Sequence, residues 1–393
     1  MTVSHRSWRD HRLLVLYPVF ALTGVADVIT GPMLPSLSRA FNLSDIQSGN
    51  LLFLIFAGMA TGALLCRGYY TQILKLGLFA LALECAGFMW ITRTFLFPFS
   101  FLFGVSVGAP MTAVSLFVGR NFSARRAATL TLLNFMWSLG AMLAPLLAAR
   151  ILAVSTWRTV YGVLAGAALL ALLAVQFTVR DTGESESLLP GIAGWGNLRF
   201  IGLFAAFFFL EVGIESMYGA WISTYMLRSA RTSISLAAAA TSIYWMGYLA
   251  SRGISPFILL RTRPRIVLYA ALLAAFGSAS ALVIARSPLL QVTAILVLGA
   301  ALAPVFPVAL AAFFDRARQS SDTRFILALS GFGGSFFPWT VGWLTARAGS
   351  LRAALAVGPV TMLVMFAVLP LLIGSRQSSA ATVPPGAGGP DPA

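Results

Sequence analysis

Charge is what this sequence has least of. Asp, Glu, Lys and Arg make up 10% of its 393 residues, where a soluble domain carries about a quarter. That shortage excludes an ordinary water-soluble fold, because a chain of this length could not hide the remaining apolar surface from water. Cysteine is nearly absent. Cys66 and Cys85 fall on different expected helices at different depths, so neither a disulfide nor a metal-ligand spacing is expected. Histidine is confined to His5 and His11, in the N-terminal tail. No nucleotide-binding loop, metal cluster or nucleophile–base arrangement occurs, which sets aside an ATP-driven pump or a hydrolase and gives no reason to expect a cofactor. No polar stretch is long enough to fold a reader of nucleic-acid grooves, although the formal net charge is +15. A cleavable signal peptide is also excluded. The first apolar run is too long, contains Asp27, Pro32 and Pro35, and lacks a small-residue cleavage site.

What is present is apolar. Hydrophobic residues make up 59% of the chain and the mean hydropathy is +0.86, so the chain reads as an integral membrane protein whose partner is the lipid bilayer. A helical span takes about 20 apolar residues. Twelve such stretches follow one another, near 13–34, 48–66, 73–91, 96–118, 127–148, 159–179, 200–226, 234–251, 264–285, 289–313, 325–346 and 353–373. Trp157 and Arg158 fall in the expected loop between the fifth and sixth. The polar segment 180–199, RDTGESESLLPGIAGWGNLR, reads as a cytoplasmic linker between an N-terminal six-helix bundle (1–179) and a C-terminal one (200–374). Residues 375–393, mostly Ser, Ala, Pro and Gly, read as a disordered tail.

An even number of spans puts both termini on one side. Eighteen of the 27 basic residues fall on that side and nine on the other, which places the termini in the cytoplasm and the bundle in the inner membrane. By the same reading no basic residue lies deep in the hydrocarbon region. Four acids do: Asp27, Glu84, Glu211 and Glu215. A carboxylate there costs a few kcal/mol, roughly 2.5–3.5 on insertion scales.

The halves echo each other. GALLCRG (62–68) matches GYLASRG (247–253) at an offset of 185. Pro110 in the fourth span matches Pro304 in the tenth, and Arg158 before the sixth matches Arg352 before the twelfth, each at 194. GAMLAPLL in the fifth resembles GGSFFPWTV in the eleventh. Four matches in the same order indicate a parallel six-plus-six repeat, the architecture of major facilitator transporters.

The chain resembles the major facilitator superfamily over nearly its whole length. The resemblance rests on DVITGPMLPSLSRAFNLSDIQSG (27–49), on GALLCRG, and on GIESMYGAW (213–221), LAPVFPVAL and GGSFFPWTVGWL, the last three similar to the fucose/glucose/galactose permease branch. GALLCRG is similar to the loop signature G-x-x-x-D-R-x-G, with Cys66 in place of its acid and Gly68 one place early; Ser251 replaces the acid in the second copy. This leaves Arg67 and Arg252 as the gating-loop residues the resemblance implies, without the acid that usually answers them. Proton-coupled members of that branch carry an acid in span four where this chain has Met111, and an Asn where it has Ser115.

The resemblance implies that spans one, four, seven and ten line a central cavity. Asp27, Glu211 and Glu215 lie 11 to 15 residues into spans one and seven, near mid-bilayer at 1.5 Å per residue. Glu211, Glu215 and Tyr218 share a helical face by spacing, as do Phe20, Thr23, Asp27 and Thr30. Burial favours the neutral form of a carboxylic acid and opening to water favours the charged form. An acid that alternates between these surroundings can therefore carry a coupling proton, and bare carboxylates can also ligate sodium. Asp27, Glu215 and Glu211 are the ion-coupling candidates, whereas Glu84, on peripheral span three, reads as structural. Aromatic residues fall in spans five, seven, eight and eleven, Tyr248 and Trp245 among them. The solute-site candidates are Trp221, Tyr218, Asn134, Trp137, Tyr244 and Trp339. Gly104-x-x-x-Gly108 in span four reads as a close-packing motif.

The reading is an all-α, twelve-span secondary transporter that works by alternating access. It acts as a monomer on a small neutral polar solute, a sugar by preference, with protons or sodium as the coupling ion. The absence of a buried cation argues against an anionic cargo. The alternative is a proton-driven exporter of cationic or amphipathic drugs. A third reading, a transport-dead sensor, calls for an added soluble domain, and none is evident.

Overall fold

A computed structural model describes residues 11–66, 68–122, 126–179, 198–230, 232–314 and 321–373. Arg67, the segment 180–197 and the tail 374–393 lie outside them. The regular structure of the described residues is helical throughout. The twelve spans run His11–Phe41, Asp45–Leu65, Tyr70–Phe88, Leu96–Asn121, Arg126–Val154, Trp157–Thr178, Leu198–Ser229, Ile234–Leu259, Pro264–Ile284, Pro288–Leu302 continued by Val305–Phe314, Ser321–Ala348, and Leu351–Ala354 continued by Val357–Ile373. Ten qualify as membrane spans by length and composition. The eighth and eleventh, richer in glycine, serine and threonine, complete the set.

Local chemistry explains the boundaries. Span two opens on a capping box: the Ser44 hydroxyl accepts from the Gln47 N–H, and the Gln47 side chain accepts from the Ser44 N–H. Span one bends at Ile29, because Pro32 has no N–H to offer the Val28 carbonyl. Span ten breaks between Leu302 and Val305, where Pro304 and Pro307 do the same to the turn before them. Three expectations are corrected here. Span one continues past residue 34 to Phe41. Span eight runs on past 251 to Leu259, so Arg252 belongs to a helix and not to a loop. Trp157 begins span six and is buried, its ring 5.4 Å from that of Phe41.

Lipid offers no hydrophobic drive between helices, so close backbone packing does that work. A Cβ on Gly104 or Gly108 of span four would collide with the Ile55 or Met59 carbonyl of span two. Spans eight and ten repeat the arrangement, with Gly247 against the Leu296 carbonyl and Gly299 against that of Tyr244. Gly62 and Gly247 stand 185 apart, the offset read from the sequence, and serve the same purpose in each half. On the outer surface Trp90, Val154, Phe177 and Leu260 are more than four-fifths exposed, as lipid-facing residues are. Cys66 and Cys85 are both buried, and neither is in a disulfide.

The halves meet along three seams: spans two and eleven, five and eight, and one and seven. At the end away from the termini, Arg228 pairs with Asp45, the Trp339 indole donates to Asn50 Oδ1 at 3.0 Å, and Gly49 lies against the backbone of Trp339 and Gly342.

Candidate functional site: a cavity between the halves

A small, partly open cavity lies between the halves. Span one contributes Asp27, Thr30 and Gly31, span two Leu52, Ile55 and Phe56, and span five Trp137. Span seven contributes Glu215, Ser216, Gly219 and Ala220, and span eight Trp245. Spans one and seven stand where the resemblance implies. Spans four and ten do not reach the wall among the described residues, and the glycine contacts explain it: span four is packed behind span two, and span ten behind span eight.

Asp27 occupies the last turn before the bend in span one and is half-buried. It faces Glu215 across the cavity, close enough for the two carboxyls to act on each other electrostatically. The Trp137 indole N–H lies toward Asp27 but closes no hydrogen bond, and the Trp245 indole N–H has no partner either. The two indoles meet edge to face with centroids 5.6 Å apart, one from each half. Two acceptor carboxyls and two unanswered donors thus border one space.

Glu215 is more closely held. The Tyr248 hydroxyl donates to its Oε2 at 2.8 Å. Arg252, one helical turn beyond Tyr248, donates through Nη2 to the Tyr248 oxygen at 2.8 Å and through Nη1 to Ser138 Oγ of span five at 3.0 Å. The guanidinium lies 4.5 Å from the Tyr248 ring centroid and 5.8 Å from that of Trp137. Arg252, itself half-buried, corrects the expectation that no basic residue reaches the buried acids. Because span eight continues as helix, Arg252 sends its side chain back along the helix toward Glu215 and Glu211, within electrostatic reach of both.

The remaining candidates are not brought to the cavity wall. Glu211, one turn from Glu215, is fully buried and neither of its oxygens has a hydrogen-bond partner. Tyr218 is buried with its hydroxyl 3.4 Å from the Leu355 carbonyl. Trp221, expected at the solute site, is fully buried and spends its N–H on the Pro338 carbonyl at 3.0 Å. Helical spacing put Glu211 and Tyr218 with Glu215, and the permease-like motif added Trp221, but span seven is enclosed on several sides and its cavity face is the stripe Glu215, Ser216, Gly219 and Ala220. Tyr244 is buried behind Trp245, its hydroxyl unpartnered. Asn134 is exposed and donates to the Leu130 carbonyl. Trp339 lines a separate groove with Gln47, Asn50, Phe53 and Phe336. Glu84 stays on span three, away from the cavity wall. Sequence reasoning counted Trp245 among the aromatics without placing it at the site, and missed Ser216. The i+4 step from Glu215 to Gly219, and the i+3 and i+4 steps from Ser216 to Gly219 and the small Ala220, were the available signal for that face.

Residues 16–338 match the model of the Major Facilitator Superfamily. The chain belongs to that superfamily. It is 25% identical over 357 residues to the glucose/mannose transporter GlcP of Bacillus subtilis (strain 168), covering 83% of this chain and 86% of that protein. Its fold is similar to that of the D-xylose-proton symporter (TM-score 0.74, 15% identity, 94% of this chain and 100% of that one) and the nucleoside transporter NupG (TM-score 0.71, 11% identity, 92% and 100%). The family and these relatives are transporters, not enzymes.

Proposed function

We propose that this chain carries a small neutral sugar across the inner membrane by alternating access, coupled to proton movement at Glu215 and Asp27. The observation that carries the reading is the cavity wall: a carboxyl from each half, two unpartnered indole N–H groups and the flat faces of those indoles. Sugar hydroxyls both donate and accept, and the C–H face of a sugar ring stacks on an aromatic plane. A neutral polyol therefore answers every unmet group on the wall without adding charge. The similarity to a glucose/mannose transporter supports the same solute class. Transport then requires the bundles 1–179 and 200–374 to rock about the cavity, breaking the Asp45–Arg228 contact at one end and closing the other.

Arg252 bears on both rival cargoes. Its charge already answers Glu215, which disfavours the export of cationic or amphipathic drugs. Its bonds to Tyr248 and Ser138 leave it engaged, so the wall presents no free cation to a carboxylated or phosphorylated cargo. The test is counterflow in proteoliposomes: labelled D-glucose or D-mannose should exchange, and a lipophilic cation should not. Exchange of the cation alone would reverse the assignment. The basic-residue asymmetry supports cytoplasmic termini, so cysteines at positions 4 and 378 should resist an impermeant thiol reagent in intact cells. Ready labelling at either would overturn that topology.

A further inference from the structure

The hydrogen bonds around Glu215 have a fixed direction. A guanidinium has donors only. The Tyr248 oxygen must therefore accept from Arg252, and its single proton has one place left to go, Glu215 Oε2. The same side chain donates to Ser138 Oγ, whose own proton goes to the Asn134 carbonyl at 3.0 Å. The chain of bonds is complete from span seven through span eight to span five, and it is consistent only while Oε2 is a bare acceptor.

From this geometry we infer that Arg252 is a positioning residue for the coupling proton. It orients the Tyr248 hydroxyl, reserves Oε2 of Glu215 as an acceptor, and so directs proton uptake to Oε1. The arriving proton forms the O–H bond at Oε1. Tyr248 keeps its own proton, and none passes through Arg252. Neutralising the carboxyl weakens the pull on Tyr248 and hence on Arg252, which also holds Ser138 of the other half. Proton binding is thereby tied to the seam between spans five and eight. The Trp137 and Trp245 rings cover the same seam from the cavity side, and the Trp137 face lies against the guanidinium. This inference deepens the proton-coupling reading and rests on it for its purpose, but the bond pattern is testable without any solute.

The other ionisable groups around Glu215 are Asp27 from span one, Glu211 from its own helix, and Tyr244, Tyr248 and Arg252 from span eight. An infrared titration of the purified full chain in lipid follows the carboxylic C=O stretch against pH, and Glu215→Gln identifies the Glu215 contribution among those of Asp27, Glu84 and Glu211. Tyr248→Phe keeps the ring and its packing and removes the bond to Oε2. Arg252→Gln removes the charge, and Arg252→Lys restores the charge without the paired donors. Loss of a donor to the charged carboxylate lets the proton stay bound to higher pH. The Glu215 midpoint should therefore rise by about one pH unit in Tyr248→Phe and Arg252→Gln, and return part of the way in Arg252→Lys. An unchanged midpoint in Tyr248→Phe overturns the inference, and that variant decides the matter even if Arg252→Gln does not fold. Failure of wild-type protein to exchange sugar would count against the proposed function instead, and would leave this titration readable.

Discussion

The two halves present the same type of group to the cavity in different states of preparation. The first half brings Asp27 to a bent helix and leaves it with an indole N–H that does not quite reach it. The second half brings Glu215 on an unbroken helix and ties one of its oxygens to Tyr248 and Arg252. Similar distances along spans one and seven set both acids at one depth, and the neighbours then separated their roles. A carboxyl whose partners are already arranged is suited to a proton event that must be repeated in the same geometry. One with its hydrogen-bonding capacity still open is suited to meet a solute. On this account Glu215 carries the coupling proton in a prepared setting, and Asp27, which shares the proposed coupling role, also offers the solute an open carboxyl.

The division can be broken at several points. The largest effect on affinity is expected from Asp27→Asn. A hydrogen bond to a charged group is worth about 1.5–3 kcal/mol, so binding of D-glucose, read by calorimetry, should weaken roughly tenfold to a hundredfold. Unchanged affinity would remove Asp27 from the solute site. Trp245→Phe keeps the ring and deletes one unanswered donor. A loss of about 1 kcal/mol, or roughly fivefold in affinity, is expected, and tighter binding would show that the N–H was not directed at the solute. The smallest effect on affinity should come from Trp221→Phe. Its indole is spent on Pro338, so the variant should bind sugar normally and melt earlier, with stability lower by about 1 kcal/mol. Weakened binding in a well-folded Trp221→Phe protein would return that residue to the cavity.

Much of this architecture was legible from composition and periodicity. Apolar runs located the spans, because the bilayer sets their length, and the offset of 185 found glycines that the fold uses identically in both halves. The depth of the acids was legible too, since rise per residue converts position into height. The direction of side chains within span seven was not. A helix enclosed on several sides has no single polar stripe to betray its cavity face, so Glu211, Tyr218 and Trp221 looked as well placed as Glu215. Arg252 was misread for a related reason. The helix outlasts its apolar run by two turns, and a long side chain can reach back along it. Nothing in the local sequence distinguishes such an arginine from one that faces a loop.

The central claim is that Glu215 carries the coupling proton. Proteoliposomes containing wild-type protein or Glu215→Gln, loaded to give an inward proton gradient, would be assayed for accumulation of labelled D-glucose and, separately, for counterflow without a gradient. Glutamine preserves the acceptor for Tyr248 and the size of the side chain, but has no proton to release. The account predicts that Glu215→Gln retains counterflow and loses gradient-driven accumulation. Accumulation at the wild-type level in Glu215→Gln would contradict it.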